Sequence, residues 1–139
     1  MIRYKLLDIE WVEAEWQMHR RIKALEVNGR CEVIDSLSDW KQSSIYEFKK
    51  ILTGVKLVLS RNNYIYPNRT ETCIGYEPMF EIKNGAGGKA RIFCYPLDEL
   101  NLLVAIGTHW KDPKRQDADM SKASERMNNF LEWRERNDE

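Results

Sequence analysis

The stretch from Glu77 to Lys111 constrains the fold more than any other part of the sequence. Apolar and polar residues alternate with a period of two from Met79 to Lys83 and again from Lys89 to Tyr95, which is typical of β-strands with one buried face. The glycine-rich residues between them, Asn84 to Gly88, predict the turn of a β-hairpin. A third run, Leu102 to Thr108, is apolar on both faces, as expected for a strand that is covered from both sides.

The register of the predicted hairpin sorts its side chains into two faces. If the turn contains only Asn84 to Gly88, then Lys83 lies opposite Lys89 and Glu81 lies opposite Arg91. One face is then apolar and must be covered; it holds Phe80, Ile82, Ala90, Ile92 and Cys94. The other face mixes charged and aromatic side chains: Glu81, Lys83, Lys89, Arg91, Phe93 and Tyr95. We predict that this second face stays open and carries the function.

Outside this stretch the apolar period predicts mainly helices. In chain order we expect a helix capped by Asp8 within residues 1–20, a strand at Arg21–Val27, helices at Cys31–Trp40 and Ser43–Leu59, and a last helix starting at Asp117 or Asp119. Ile2 to Leu7 is also a candidate strand. Asn62 to Gly75 has no period and is expected to be a loop, and Asp112-Pro113 breaks the chain.

These elements predict one α+β domain over residues 1–139, with residues 1–20 as an N-terminal helical extension. Its sheet is expected to be antiparallel, twisted and three- to four-stranded. A helical hairpin should cover the apolar face, and a C-terminal helix should follow the last strand.

Length, charge and cysteine content limit the classes of protein that remain. At 139 residues the chain is long enough to bury a core. Its 22 basic and 22 acidic side chains cancel, so a nucleic-acid partner would depend on local charge alone. No apolar run approaches the roughly 20 residues that span a bilayer, and acidic residues lie where a secretory signal would be apolar. Three cysteines without metal-type spacing favour reduced thiols and a cytoplasmic protein.

Cationic side chains and one imidazole are predicted to converge at the end of the third strand. His109 and Lys111 close that strand, and Lys83 and Arg91 lie on the neighbouring strands. Cleavage of a phosphodiester needs cations that hold the phosphate and a group that moves protons. Two plainer interpretations stay open, namely a solvated loop with surface cations and a cross-strand ion pair between Arg91 and Glu81.

Aromatic residues beside these cations predict stacking with the bases of single-stranded nucleic acid. The candidates for RNA binding are Lys89, Phe93, Tyr95, Trp110, Lys114 and Arg115. The alternative is that the aromatic side chains only pack in the core or at its rim. The glycine-rich turn is not a phosphate loop, because no helix and no Lys-Ser/Thr pair follow it. No metal site is predicted.

Several short segments resemble those of a known family. The segments are FEIK at 80–83, GKARIF at 88–93, VAIGTHWK at 104–111, NGRCEVIDSL at 28–37, and a late helix with Ala123 and Arg126. The RelE/HigB-type toxins of bacterial and phage toxin–antitoxin modules have similar strand motifs in the same order. The resemblance extends over roughly residues 21–131.

The resemblance implies a microbial-RNase-like fold and cleavage of mRNA in the ribosomal A site by attack of a ribose 2′-hydroxyl on the adjacent phosphate, without metal or cofactor. Lys83 would bind the phosphate or position the 2′-oxygen, and Arg91 would stabilise the transition state. His109 or Lys111 would transfer a proton or stabilise the leaving group. The implied partners are the ribosome, mRNA and a cognate antitoxin, which in many modules is a helix-turn-helix protein.

Fold alone does not decide the function. The same resemblance allows a non-catalytic relative that binds a protein, in the manner of the ParE-type gyrase poisons. It also allows a structural or prophage-borne protein whose catalytic face has decayed.

Overall fold

The computed structural model describes residues 1–85 and 87–137. In chain order its elements are strands β1 (Tyr4–Leu7) and β2 (Arg21–Val27), helices α1 (Glu32–Ser43) and α2 (Ile45–Leu59), strands β3 (Thr70–Thr72), β4 (Phe80–Lys83), β5 (Ala90–Leu97) and β6 (Leu102–Trp110), and helix α3 (Pro113–Asn137). A 3-10 turn at Asp98–Leu100 joins β5 to β6. Ala86 of the predicted turn and the last two residues of the sequence lie outside the described residues.

The strands form one six-stranded sheet in the order β1-β2-β6-β5-β4-β3. Neighbours are antiparallel except β2 and β6, which are parallel. The α+β class and the C-terminal helix are confirmed, whereas the three- to four-stranded antiparallel sheet is wrong. Both edge strands are short: β1 lies within the candidate strand Ile2 to Leu7, and β3 lies inside the segment expected to be a loop. The parallel pair joins distant parts of the chain, and a local pattern cannot reveal such a pairing.

Helices α1 and α2 cover one face of the sheet, as predicted. The predicted apolar set, Phe80, Ile82, Ala90, Ile92 and Cys94, is buried against them. Val33 and Leu37 of α1 and Ile51, Val55 and Val58 of α2 supply the other side of this layer. At about 25 cal/mol per Å² of apolar surface removed from water, burial of this layer is the main force that holds the helices on the sheet.

Helix α3 covers the other face, so the prediction that this face stays open is wrong. Ala123, Met127 and Phe130 pack against Phe93 and other apolar residues of the sheet, including Val104 and Ile106. The physical reason is present in β6 itself, because a strand that is apolar on both faces needs a cover on both. The predicted stripe on the last helix is that cover.

The register of the β4–β5 hairpin is shifted by two residues from the prediction. Lys83 lies opposite Arg91 and Glu81 opposite Phe93, whereas the predicted partners were Lys89 and Arg91. Because side chains alternate with a period of two, the shift leaves every residue on its predicted face. The shift does change which charged residues are direct neighbours.

Helix α2 explains why the register shifts. The Glu47 carboxylate accepts hydrogen bonds from the backbone N–H groups of Lys89 (2.8 Å) and Ala90 (2.9 Å) and from the side-chain amide of Asn84. The N–H groups of Lys89 and Ala90 therefore donate to α2 and not to β4, and the pairing of β5 with β4 starts at the next residue, Arg91. A carboxylate from a distant helix thus lengthens the turn.

Residues 8–20 contain turns and no helix, so the predicted N-terminal helix is wrong. Trp11 packs edge-on against Phe48 of α2 with 5.5 Å between ring centroids, and His19 N donates to Leu59 O (2.8 Å). Trp11 and Trp16 are five positions apart and cannot share one helical stripe. The segment instead lies against α2 and is held there by these separate contacts.

Helix α3 starts at Pro113, four to six residues before the predicted caps Asp117 and Asp119. Proline is favoured at the first helical position because its missing N–H has no partner there. Asp112 accepts a hydrogen bond from Lys114 N (3.1 Å) and caps the helix. The sequence Asp112-Pro113 therefore begins a helix.

Candidate functional site

Three of the four predicted catalytic residues lie in one row across the sheet. Arg91 on β5 is paired with Lys83 on β4 and with His109 on β6. The fourth, Lys111, continues beyond β6, where its backbone N donates to Lys89 O (2.8 Å). The sheet thus brings the row together at one end of the molecule.

Arg91 is buried, with 7% of the residue exposed. Its Nε lies 3.6 Å from Glu81 Oε1, and its Nη1 donates to Gly88 O (2.8 Å) and Ala90 O (3.1 Å). The ion pair with Glu81, which was the plainer interpretation of Arg91, is confirmed. Its geometry is diagonal, because the shifted register places Phe93 directly opposite Glu81.

Glu81 is the most unusual titratable group of the site. It is buried, and within the described residues neither carboxylate oxygen has a hydrogen-bond partner. Burial raises the pKa of Glu81 to about 7, although the charge of Arg91 acts in the opposite direction. A buried carboxyl group on β4 therefore changes its charge near neutral pH.

His109 is also buried and makes a hydrogen bond through each ring nitrogen. Its Nδ1 lies 2.6 Å from Asp119 Oδ2 on α3, and its Nε2 accepts from Asp112 N (3.3 Å). Since a backbone N–H can donate only to an unprotonated nitrogen, the proton is on Nδ1 and is donated to Asp119. Asp119 thus fixes the tautomer in which Nε2 can act as a base, while the turn at Asp112 blocks that nitrogen.

Five of the predicted site residues are exposed at the end of β6, at the start of α3, and at Lys89, whose carbonyl accepts from Lys111 N. We call this set the basic–aromatic end: Lys89, Trp110, Lys111, Lys114 and Arg115. Trp110 is 39% exposed, and its ring lies 5.9 Å from that of Trp40 on α1. Within residues 1–85 and 87–137, none of the four cations forms an ion pair.

The remaining predicted residues do not belong to this exposed set. Phe93 is buried beneath α3, so its prediction as a base-stacking residue is wrong. Tyr95 is half-buried and lines a small cleft with Tyr76 and Met127, away from the cations. Lys83 is 3.8 Å from Glu71 and largely covered.

The three cysteines are buried and free. Burial raises the pKa of Cys73 to about 12 and raises that of Cys94 further, so neither thiol is a nucleophile near neutral pH. In the described part of the chain, no three His, Cys, Asp or Glu residues are grouped so as to hold a metal ion. None of the described helices is both long and apolar enough to cross a membrane.

Comparison with protein-family models, curated proteins and solved structures finds no significant match to this chain. The resemblance to RelE/HigB-type toxins therefore depends on the sequence motifs alone.

Sequence reasoning missed two side chains that shape the site, Asp119 and Glu47. Asp119 was predicted only as a possible helix cap, and Glu47 was given no role in the site. Each acts on a residue of another element, so neither gives a local sequence signal. The only hint for Asp119 in the sequence is that it follows His109, the histidine of the strands, by ten residues.

Proposed function

We propose that the protein binds single-stranded RNA through its basic–aromatic end. The observation that carries the proposal is the joint exposure of Trp110 with four cations that lack ion-pair partners among the described residues. Cations neutralise phosphates, and an exposed indole stacks on a base of any sequence. Because the whole chain is neutral, this local arrangement determines where a polyanion binds.

Acidic groups close to the basic–aromatic end are engaged by hydrogen bonds, which supports the proposal. Asp112 caps α3, Asp119 accepts from His109, and Glu47 accepts from the start of β5. Each carboxylate keeps its charge, but its oxygens accept from these donors and none of them forms an ion pair with the four cations among the described residues. The four cations are therefore not held by neighbouring carboxylates.

Cleavage of the bound RNA is the second candidate, and the pair of His109 and Asp119 favours it. Attack by a 2′-hydroxyl needs a base, and the tautomer fixed by Asp119 leaves Nε2 for that task. Arg91 is the neighbour of His109 on β5 and is placed to stabilise negative charge. Both residues are buried, so the turn at 111–113 must move before either reaches a phosphate. Binding is therefore the function that the geometry supports best.

The toxin hypothesis supplies the partners of this proposal. A RelE-like, microbial-RNase-like fold would present the basic–aromatic end to mRNA on the ribosome, and an antitoxin would neutralise it by covering the same cations. The alternative is a non-catalytic module that binds a protein, of the gyrase-poison type. The burial of Arg91 and His109 favours a non-catalytic protein. Whether the protein binds RNA distinguishes the toxin hypothesis from the protein-binding module.

Fluorescence anisotropy with a labelled single-stranded 12-mer RNA tests the proposal. We expect the triple variant Lys111→Gln, Lys114→Gln, Arg115→Gln to lose at least tenfold in affinity, and the slope of log affinity against log salt to fall by about 2, since each phosphate contact contributes roughly 0.7. Trp110→Ala should weaken binding by about tenfold and leave the slope unchanged. The matched control is Arg3→Gln, Lys5→Gln, Arg136→Gln, which removes the same charge from exposed positions elsewhere.

Three outcomes separate the hypotheses. Salt-dependent binding that the control retains and the triple variant loses supports RNA binding. Cleavage of mRNA on translating ribosomes that His109→Ala abolishes adds the endonuclease function. Wild-type protein that binds no RNA contradicts the proposal and leaves the protein-binding module.

A further inference from the structure

The centre of the sheet opens where its two parallel strands separate. The pairing of β2 with β6 ends at Ala24 and Ala105. After β2 the chain enters α1 on one face of the sheet, and after β6 it enters α3 on the other face. In open sheets, ligands bind in the crevice at the carboxyl ends of parallel strands whose connections leave to opposite faces. This topology predicts a binding crevice beside residues 106–108 of β6.

Side chains from both helical layers enter the crevice and take the place of the missing strand. Glu32 Oε2 accepts from Thr108 N (2.8 Å), and Arg126 Nη1 donates to Ile106 O (2.8 Å). The two side chains meet each other at 3.4 Å. Backbone groups of β6 that β2 leaves unpaired are thus bonded to α1 and α3, and the polar crevice is held in a defined shape.

Gly107 makes this arrangement sterically possible. A Cβ atom at this position would lie 2.6 Å from Glu32 Oε2 and 3.2 Å from Arg126 Nη1. Any other residue would push the two side chains out of the crevice.

The crevice is part of a cleft of about 430 Å³, a size that suits a small ligand. Arg30, Asp35 and Lys122 line its mouth, and Leu25 and Val27 form an apolar wall. Within the described residues, none of these three charged side chains has an ion-pair partner closer than 4 Å. Glu32 and Arg126 pair with each other inside the cleft, and charges of both signs at its mouth remain without such a partner.

We infer that this cleft binds a small zwitterion, a molecule with an amine and a carboxylate or phosphate group. Helix α3 contributes the cations Lys122 and Arg126, and α1 contributes the anions Glu32 and Asp35, with Arg30 as a further cation just before α1. The anionic end of the ligand faces α3, its amine faces α1, and a short aliphatic body lies on the apolar wall. Each end forms charge-assisted hydrogen bonds, which are stronger than neutral ones.

The cleft is separate from the basic–aromatic end, and this inference does not depend on RNA binding. Glu32 and Asp35 repel the continuous phosphates of a polynucleotide, whereas they attract an amine. The two sites lie at different positions along β6, at 106–108 and from Trp110 onward, and different variants test them independently.

Nuclear magnetic resonance titrations of the full chain test the ligand class. The zwitterionic probes are glycine, β-alanine, 4-aminobutyrate and phosphoethanolamine, and the probes with a single charge are propionate and propylamine. We expect saturable shifts at the amides of Glu32 and Thr108 with at least one zwitterion, and at least tenfold weaker binding of both single-charge probes. Saturation only by phosphoethanolamine identifies the anionic group as phosphate, and saturation by an amino acid identifies a carboxylate. No saturable shift with any zwitterion, or equal binding of propionate, overturns the inference.

Variants at exposed positions test which residues hold each end. Asp35→Asn should weaken zwitterion binding at least tenfold by removing the partner of the amine, and Lys122→Gln should do the same at the anionic end. Asp39→Asn, an exposed change on the same helix as Asp35, is the control and should bind as the wild type does. Gly107→Ala should also lose binding because it displaces Glu32. Wild-type affinity in both Asp35→Asn and Lys122→Gln overturns the inference.

Discussion

At the scale of single residues, Glu81 and Arg91 form an ion pair in a layer that excludes water. Removing both charges from water is costly, and one contact at 3.6 Å recovers only part of that cost. The carboxyl oxygens lack hydrogen-bond partners among the described residues, so burial prevails and the pKa of Glu81 rises to about 7. The charge of this pair consequently depends on pH in the physiological range.

The free energy of unfolding should therefore fall as the pH rises from 5 to 8. The folded state holds the Glu81 proton more tightly than the unfolded state does, whose pKa is near 4.5. The stabilisation from that proton is complete below the unfolded pKa and is lost as the pH rises through about 7. A rise of the pKa from 4.5 to about 7 corresponds to roughly 3 kcal/mol. Urea unfolding of the wild type and of Glu81→Gln, which cannot titrate, measures it as the difference between their pH slopes.

Glu10→Gln, an exposed change, serves as the control and should keep the wild-type slope. Identical slopes in the wild type and Glu81→Gln would show that Glu81 does not titrate in this range.

The residue pattern predicts which residues belong to the site better than it predicts what surrounds them. The alternation of β4 and β5 placed Lys83 and Arg91 on one face, His109 was expected near them at the end of β6, and the structure has the three in one row. Their burial depends on α3 and on contacts between different elements, such as the hydrogen bond between His109 of β6 and Asp119 of α3. A period of two specifies the face of a side chain and carries no information on what covers it.

At the scale of elements, one carboxylate connects a helix to a hairpin. Glu47 accepts three N–H groups from Asn84, Lys89 and Ala90. These bonds hold the start of β5 against α2 and set the length of the turn. Because Asn84 is buried, its amide has no access to water as a substitute partner.

Glu47→Ala should destabilise the protein by about 2 kcal/mol, since it leaves buried donors unpaired. The backbone amides of Lys89 and Ala90 should exchange with solvent faster than in the wild type. Chemical denaturation measures the first effect and hydrogen exchange the second. Lys49→Ala, an exposed change on the same helix, is expected to alter neither. Unchanged exchange at Lys89 and Ala90 would contradict the role given to Glu47.

Elements with a clear apolar period are predicted well, and elements without one are not. The β2 strand has its predicted bounds, and α1, α2 and the three strands of the central stretch agree to within a few residues. Residues 1–20 have no consistent apolar period: Trp11 and Trp16 contact α2 separately, and Tyr4 packs against Phe130 of α3 on the other side of the sheet. The start of α3 was missed because proline and aspartate were interpreted as a chain break, whereas they favour a helix start.

At the scale of the whole molecule, the sheet is covered by helices on both faces, and β6 lies inside it with a strand on either side. Residues of β6 belong to both apolar layers, for example Leu103 and Ala105 to one and Val104 and Ile106 to the other. By contrast, β1 and β3 each have one strand neighbour and are short. Local openings of such edges cost less than global unfolding.

Hydrogen exchange should therefore distinguish the central strand β6 from the edge strands β1 and β3. Amides of β6 at 103–106 should exchange only through global unfolding, so their opening free energy should fall with denaturant as steeply as that of the whole protein. Paired amides of β1 and β3 should open at lower free energy and with little dependence on denaturant. Equal opening free energies in all three strands would show that the sheet has no such gradient.

The overall topology was the least predictable property. The pairing of β2 with β6 joins segments separated by the whole central part of the chain, and neither segment carries a turn or motif that indicates its partner. The crevice at residues 106–108 follows from that pairing, so it was not predictable either. Apolar content on both faces of β6 was the one sequence signal that a second cover existed.

The last strand of the chain also has a consequence for how the protein is made. It follows the other five strands in chain order, yet it alone joins the β1–β2 ribbon to the β3–β5 half of the sheet. Until it emerges from the ribosome, both halves have an unpaired edge that can add a strand from another molecule. Pairing between segments so far apart in the chain slows folding. A nascent chain of this protein is therefore most exposed to aggregation, and most in need of a chaperone, in the interval before β6 is synthesised.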